Sequence, residues 1–117
     1  MVLRFLGRGH TDHDLVVEVE AAGDATVVFA GDLVEQGAPP AFEDAWPAEW
    51  PATLGRLHAL ARGPVVPGHG AVVDAPFVGT QREELLAVLT ALREGRLDAG
   101  PYPPATMRTA AARLRSR

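Results

Sequence analysis

Runs of apolar and polar residues divide the chain into seven elements. Residues 2–6 are apolar at most positions and too short for a helix, which predicts a strand. Residues 14–20 are rich in valine and begin to alternate with Glu18 and Glu20, which predicts a second strand. Residues 26–30 form a β-branched and aromatic run that predicts a buried third strand ending at Gly31-Asp32. The segment Ala21-Ala22-Gly23-Asp24 between them reads as a turn. From 33 to 48 the pattern lapses into a long connection holding Pro39, Pro40 and Pro47. Connections of that length usually shape a site or cover one.

Helical spacing then takes over. Leu54, Leu57, Leu60 and Ala61 make one stripe of a helix over 49–61, with Pro51 tolerated in the first turn and Gly63 beyond the end. A very short strand over 64–67 leads into Gly68-His69-Gly70. Val78, Leu85, Leu89 and Leu92 share one face of a helix over 77–93, closed by Gly95. After the rigid break at 100–104, Met107, Ala111 and Leu114 mark a last helix over 105–115. The order β-β-β-α-β-α-α predicts a mixed α/β (α+β) domain with one mainly antiparallel sheet and helices on one face. Val16, Val28 and Val66 suggest strands apolar on more than one side, which calls for a second layer that the chain does not supply. Residues 1–95 carry this unit, and 96–117 form an Arg-rich helical extension of it.

Composition narrows the chemistry. At 117 residues and 47% hydrophobic the chain fits one ordinary globular domain. It has no cysteine, so disulfides, thiolate metal sites and a cysteine nucleophile are excluded, and any metal must be held by His, Asp or Glu. No apolar run approaches the ~18–20 residues that cross a bilayer, and the first apolar stretch is too short for a signal peptide core. No membrane is expected, and a cytoplasmic location is. The net charge of −4 argues against nucleic acid. Arg108, Arg113, Arg115 and Arg117 on the last helix read as a solvated face.

Three short motifs fall where predicted strands give way to loops, the place where layered α/β folds collect ligands. They are Gly9-His10-Thr11, Gly31-Asp32 and Gly68-His69-Gly70. Imidazole and carboxylate are the donors a cysteine-free chain uses for Zn²⁺, Fe²⁺ or Mn²⁺. The glycines Gly31, Gly68 and Gly70 let backbone approach closely, and Thr11 and Asp14 are placed to brace the His10 loop. His13 and His58 read as non-ligands, and Trp46 and Trp50 as core packing.

Taken in order, Gly9-His10-Thr11-Asp12-His13-Asp14, Phe29-Ala30-Gly31-Asp32-Leu33 and Val65-Val66-Pro67-Gly68-His69-Gly70 resemble the C-terminal half of metallo-β-lactamase-fold hydrolases. That family folds as an αβ/βα sandwich of two similar halves with up to two metals, usually zinc, at its edge. The resemblance implies that His10 serves the first metal, His69 the second, and Asp32 both. It implies a metal-bound hydroxide attacking an ester, thioester, amide or phosphoester of a small-molecule substrate. The N-terminal motif His-x-His-x-Asp-His is absent, so three of about seven ligands are present. Two expectations follow: a hydrolase, or a truncated part of one, completed by an N-terminal half; or a non-catalytic interaction module, such as a homodimer, that buries the bare sheet.

Overall fold

A computed structural model of the chain describes the backbone of residues 1–117 and every side chain except that of Asp24. Its elements run β1 (Val2–Arg4), β2 (Val16–Glu20), β3 (Thr26–Glu35), α1 (Trp50–Leu60), β4 (Val65–His69), α2 (Ala75–Arg93) and α3 (Pro104–Ser116). The four strands form one sheet in the order β1-β2-β3-β4. The first three pair antiparallel, and β4 adds parallel to β3. The β3–β4 connection runs through α1, as a parallel pair requires.

Alternation explains which side of the sheet is covered. Val16, Val28, Ala30 and Val65 point to one face and are fully buried against Leu54 and Leu57 of α1 and Val78, Leu85 and Val88 of α2. Each valine and leucine among them contributes roughly 1.5–3 kcal/mol on burial. Trp50 and Phe42 close the core at one end, their rings edge to face at 5.4 Å. Met107 and Ala110 of α3 join the same core.

Among the described residues no helix covers the opposite face. Leu3 pairs with Val17, Val17 with Phe29, and Phe29 with Val66, so one row of apolar residues crosses all four strands. Leu3 is 62% exposed and Phe29 44%. Val17 and Val66 between and beside them are partly buried.

The strands differ from the expected bounds for local reasons. β1 stops at Arg4 because the chain turns away at Gly7 (φ +128°), with the Leu6 carbonyl accepting from Arg56 of α1. β2 begins at Val16 because the Asp14 carboxylate is used inside the preceding loop, accepting from the Thr11 N–H at 2.7 Å and its hydroxyl at 3.0 Å.

The larger correction concerns β3, which does not end at Gly31-Asp32 but continues to Glu35. Its pairing with β4 shifts register twice, between Phe29 and Gly31 and between Gly31 and Glu35. Gly31 adopts φ +57°, a left-handed conformation that glycine takes without strain. Beyond it the in-out alternation is lost, and Leu33, Val34 and Glu35 are all buried. That loss makes this stretch read as a connection. β4 likewise runs on through Gly68 and His69.

The irregular part of β3 is stitched by a side chain. Gln81 of α2, almost fully buried, accepts from the Glu35 N–H at 3.1 Å and donates to the Leu33 carbonyl at 2.9 Å. Its amide presents a donor and an acceptor to the strand as a neighbouring peptide would. Trp50 Nε1 donates to the same Leu33 carbonyl. Gln81→Leu keeps the volume but leaves the Glu35 N–H buried and unpaired. It is expected to cost about 1–3 kcal/mol, read as a lower urea midpoint; an unchanged midpoint would contradict this role.

Candidate metal centre

The His10 loop is held from below by α1. Thr53, fully buried, donates from its hydroxyl to the Arg8 carbonyl at 2.6 Å. Gly9 seats against Trp50 and Leu33 so closely that a Cβ would stand 2.7 Å from a Leu33 methyl and 3.0 Å from the Trp50 ring. The Gly9 carbonyl accepts from the Trp46 N–H at 2.8 Å. The loop is therefore fixed on both sides before His10 emerges from it.

His10 is oriented by Asp14. Its Nδ1 lies 3.4 Å from Asp14 Oδ1, and its ring stands edge-on to Trp50 at 6.1 Å. A carboxylate on one imidazole nitrogen sets which nitrogen stays free on the other side. Here the free one is Nε2, 3.9 Å from Asp32 Oδ2. The other oxygen of the same carboxylate, Asp32 Oδ1, lies 3.1 Å from His69 Nδ1. Asp32 thus stands between two histidines and turns one oxygen to each.

Gly68 makes room for that carboxylate. A Cβ at position 68 would lie 1.9 Å from Asp32 Oδ1. Gly70 has φ +94° and a Cβ there would lie 2.2 Å from the Gln36 carbonyl oxygen. Gln36 also ties down the turn, since its N–H donates to the His69 carbonyl and its side-chain oxygen accepts from the Ala71 N–H. Gly31 has open space around it and serves by its backbone conformation alone.

Glu35 joins the group without having been anticipated from sequence. It is the register partner of His69 on the adjacent parallel strand. Its Oε1 lies 3.1 Å from His69 Nδ1, and its side chain is only 8% exposed. Burial pushes the Glu35 carboxyl above the usual carboxylate range; the charge of His69 opposes this, that of Asp32 adds to it and that of His10 opposes it. The signal that could have found it is a carboxylate closing the apolar run Leu33-Val34 just after Asp32.

These side chains line one open hollow of about 370 Å³, together with Ala38, Pro39 and Ala41 of the long connection. Ligand atoms of Asp32, Glu35 and His69 all lie within 4.8 Å of one another. One imidazole and two carboxylates, with no thiolate, suit Zn²⁺, Fe²⁺ or Mn²⁺. The remaining histidines stand apart: His13 is exposed and paired with Asp12, and His58 lies on α1 against Gly79. Trp50 is core, whereas Trp46 is half-buried between the guanidinium groups of Arg8 and Arg117. Arg113 turns inward to donate to the Ala45 carbonyl, so one of the four tail arginines ties α3 to the core, while Arg117, although over the Trp46 ring, stays exposed.

Comparison with solved structures places the fold. The chain is similar to VMB-1 at 22% identity, with a TM-score of 0.60 over 74% of this chain and 41% of that one. It is similar to a metallo-β-lactamase from Pontibacter korlensis at 25% identity, TM-score 0.59, over 72% of this chain and 40% of that one. DIM-1 metallo-β-lactamase gives 20% identity and a TM-score of 0.59, over 69% and 39%. The chain therefore has the metallo-β-lactamase fold over about two-fifths of the length of these structures, consistent with the C-terminal half of that fold. No family model matches the sequence, and no curated protein does. Among the described residues no helix is long and apolar enough to cross a membrane.

The close approach at position 68 can be tested against the open space at 31. Gly68→Ala drives a methyl into the Asp32 carboxylate and is expected to cost about 1–3 kcal/mol, as overpacking does. Gly31→Asn, which tolerates the left-handed region, is expected to cost less. Chemical unfolding of both variants would reveal the order, and the reverse order would contradict this account.

Proposed function

We propose that the chain is the half of a metal-dependent hydrolase that carries His10, Asp32 and His69, completed by a second half from another segment or chain. The observation that carries this reading is the Asp32 carboxylate, placed with one oxygen toward His10 and the other toward His69. A carboxylate so placed would suit a site for two cations. His10 Nε2 and His69 would each hold one of them. A metal bound by these residues would supply Lewis acidity toward a carbonyl or phosphoryl oxygen and would lower the pKa of a water there. The chain's own residues do the positioning: Asp14 orients His10, Gly68 admits Asp32, and Gln36 holds the turn that presents His69. Ala38, Pro39 and Ala41 give the hollow an apolar wall. The substrate class that fits is a small ester, thioester, amide or phosphoester.

Elemental analysis of protein purified without chelator is expected to find bound metal that Asp32→Ala loses. Hydrolysis of p-nitrophenyl acetate, an acyl thioester or bis-p-nitrophenyl phosphate by the completed protein is expected to fall to background in the same variant. Undiminished turnover in Asp32→Ala would overturn the reading.

The uncovered row Leu3, Val17, Phe29 and Val66 favours a second reading, a non-catalytic module that pairs with another copy of itself. Such a pair would be symmetric, with the same patch on both sides. Light scattering is then expected to give the mass of a dimer, and Phe29→Asp that of a monomer. A well-behaved monomer before any substitution would exclude this arrangement.

A further inference from the structure

Glu35 is the one ionisable residue lining the hollow to which the resemblance assigns nothing, and its surroundings are those of a ligand. A carboxylate this deeply buried is costly unless a positive partner faces it. A second carboxylate nearby raises the cost. Glu35 has Asp32 as that neighbour and shares one imidazole nitrogen with it. His69 Nδ1 is 3.1 Å from Glu35 Oε1 and 3.1 Å from Asp32 Oδ1. A ring nitrogen carries at most one proton, so it serves only one of the two carboxylates well. A cation among the three removes both penalties at once.

The spacing agrees. Ligand atoms held tetrahedrally at roughly 2.0–2.1 Å from zinc stand roughly 3.3 Å from one another. The two nitrogen–oxygen separations at His69 are close to that value. The backbone enforces the arrangement, because Glu35 and His69 are register partners and the Glu35 N–H is pinned by Gln81. The hollow lies open beside His69, giving a cation a way in.

We propose that Asp32, Glu35 and His69 form a divalent-cation site complete within this chain, with Glu35 as the third protein ligand. Three protein ligands and water are a sufficient set for zinc. One nitrogen with two carboxylates is a harder donor set than a histidine-rich one, so Mn²⁺ is accepted as well. His10 stands next to the site, 3.9 Å from the far oxygen of Asp32, and is not one of its ligands. The inference does not depend on hydrolase activity, since the site binds whether or not a second half is present.

The test is titration of the metal-stripped, full 117-residue chain with Zn²⁺ and then Mn²⁺ by calorimetry. Co²⁺ absorption spectra report the ligand set independently. One equivalent is expected to bind. Glu35→Gln is expected to weaken binding more than ~10-fold, beyond the smallest loss that changes around a metal ligand already produce. It is also expected to abolish the rise in Tm that Zn²⁺ gives the parent chain by mass action. His13→Ala is expected to bind as the parent does. Urea unfolding without metal separates a lost ligand from a lost fold. Parent-like affinity in Glu35→Gln, no binding by the parent, or a larger loss in His10→Ala than in Glu35→Gln would each overturn the proposal. Binding with no hydrolysis would leave it standing and count against the hydrolase reading alone.

Discussion

Strand β3 breaks its regular pairing with β4 at Gly31, and the rest of the site depends on that break. A strand that kept its alternation would send Asp32 and Glu35 to opposite faces, since side chains three apart in a pleated strand point opposite ways. The left-handed turn at Gly31 and the two register shifts bring both carboxylates to the same side, over His69. The break leaves backbone groups of β3 without a strand partner, and Gln81 from α2 supplies one. A helix side chain thus makes the irregular strand affordable in hydrogen-bonding terms, and the irregular strand makes the cluster.

The loop that carries His10 rests on a different part of the core. Thr53 and Arg56 of α1 hold the carbonyls of Arg8 and Leu6, and Gly9 lies flat on Trp50. Trp50 in turn donates to Leu33 on β3. One buried indole therefore touches both the loop bearing His10 and the strand bearing Asp32. The two donors meet because the same hydrophobic contact supports each. The cluster gathers at the ends of parallel strands, where ligands collect in α/β sheets.

The uncovered sheet face gives the molecule its second constraint. The row Leu3, Val17, Phe29 and Val66 is as regular as the buried one, but Leu3 and Phe29 in it lie exposed and, among the described residues, no helix covers it. The solved structures of this fold are more than twice as long as the stretch the chain matches. The chain thus combines a sheet with one exposed apolar row and a match to about two-fifths of the length of those structures.

Much of this was legible in the order of the residues. The valine runs and leucine stripes marked all seven elements, because burial on one side imposes a period of 2 on strands and 3.6 on helices. The glycines beside His10, Asp32 and His69 marked close approach, and Gly68 against Asp32 is that approach in three dimensions. Glu35 was not legible, since past Gly31 the period that reveals a strand is gone and the carboxylate reads as part of a connection. Nor were Gln81, a polar residue on an amphipathic helix, or Arg113, which sequence assigns to a solvated face. The sequence by itself determined the elements, their order and three of the residues that line the hollow, because local periodicity and glycine placement are properties of neighbouring residues. Only the tertiary structure decided which donors meet and which sheet face stays bare. Those depend on strand register and on contacts between residues dozens of positions apart, which no local pattern encodes.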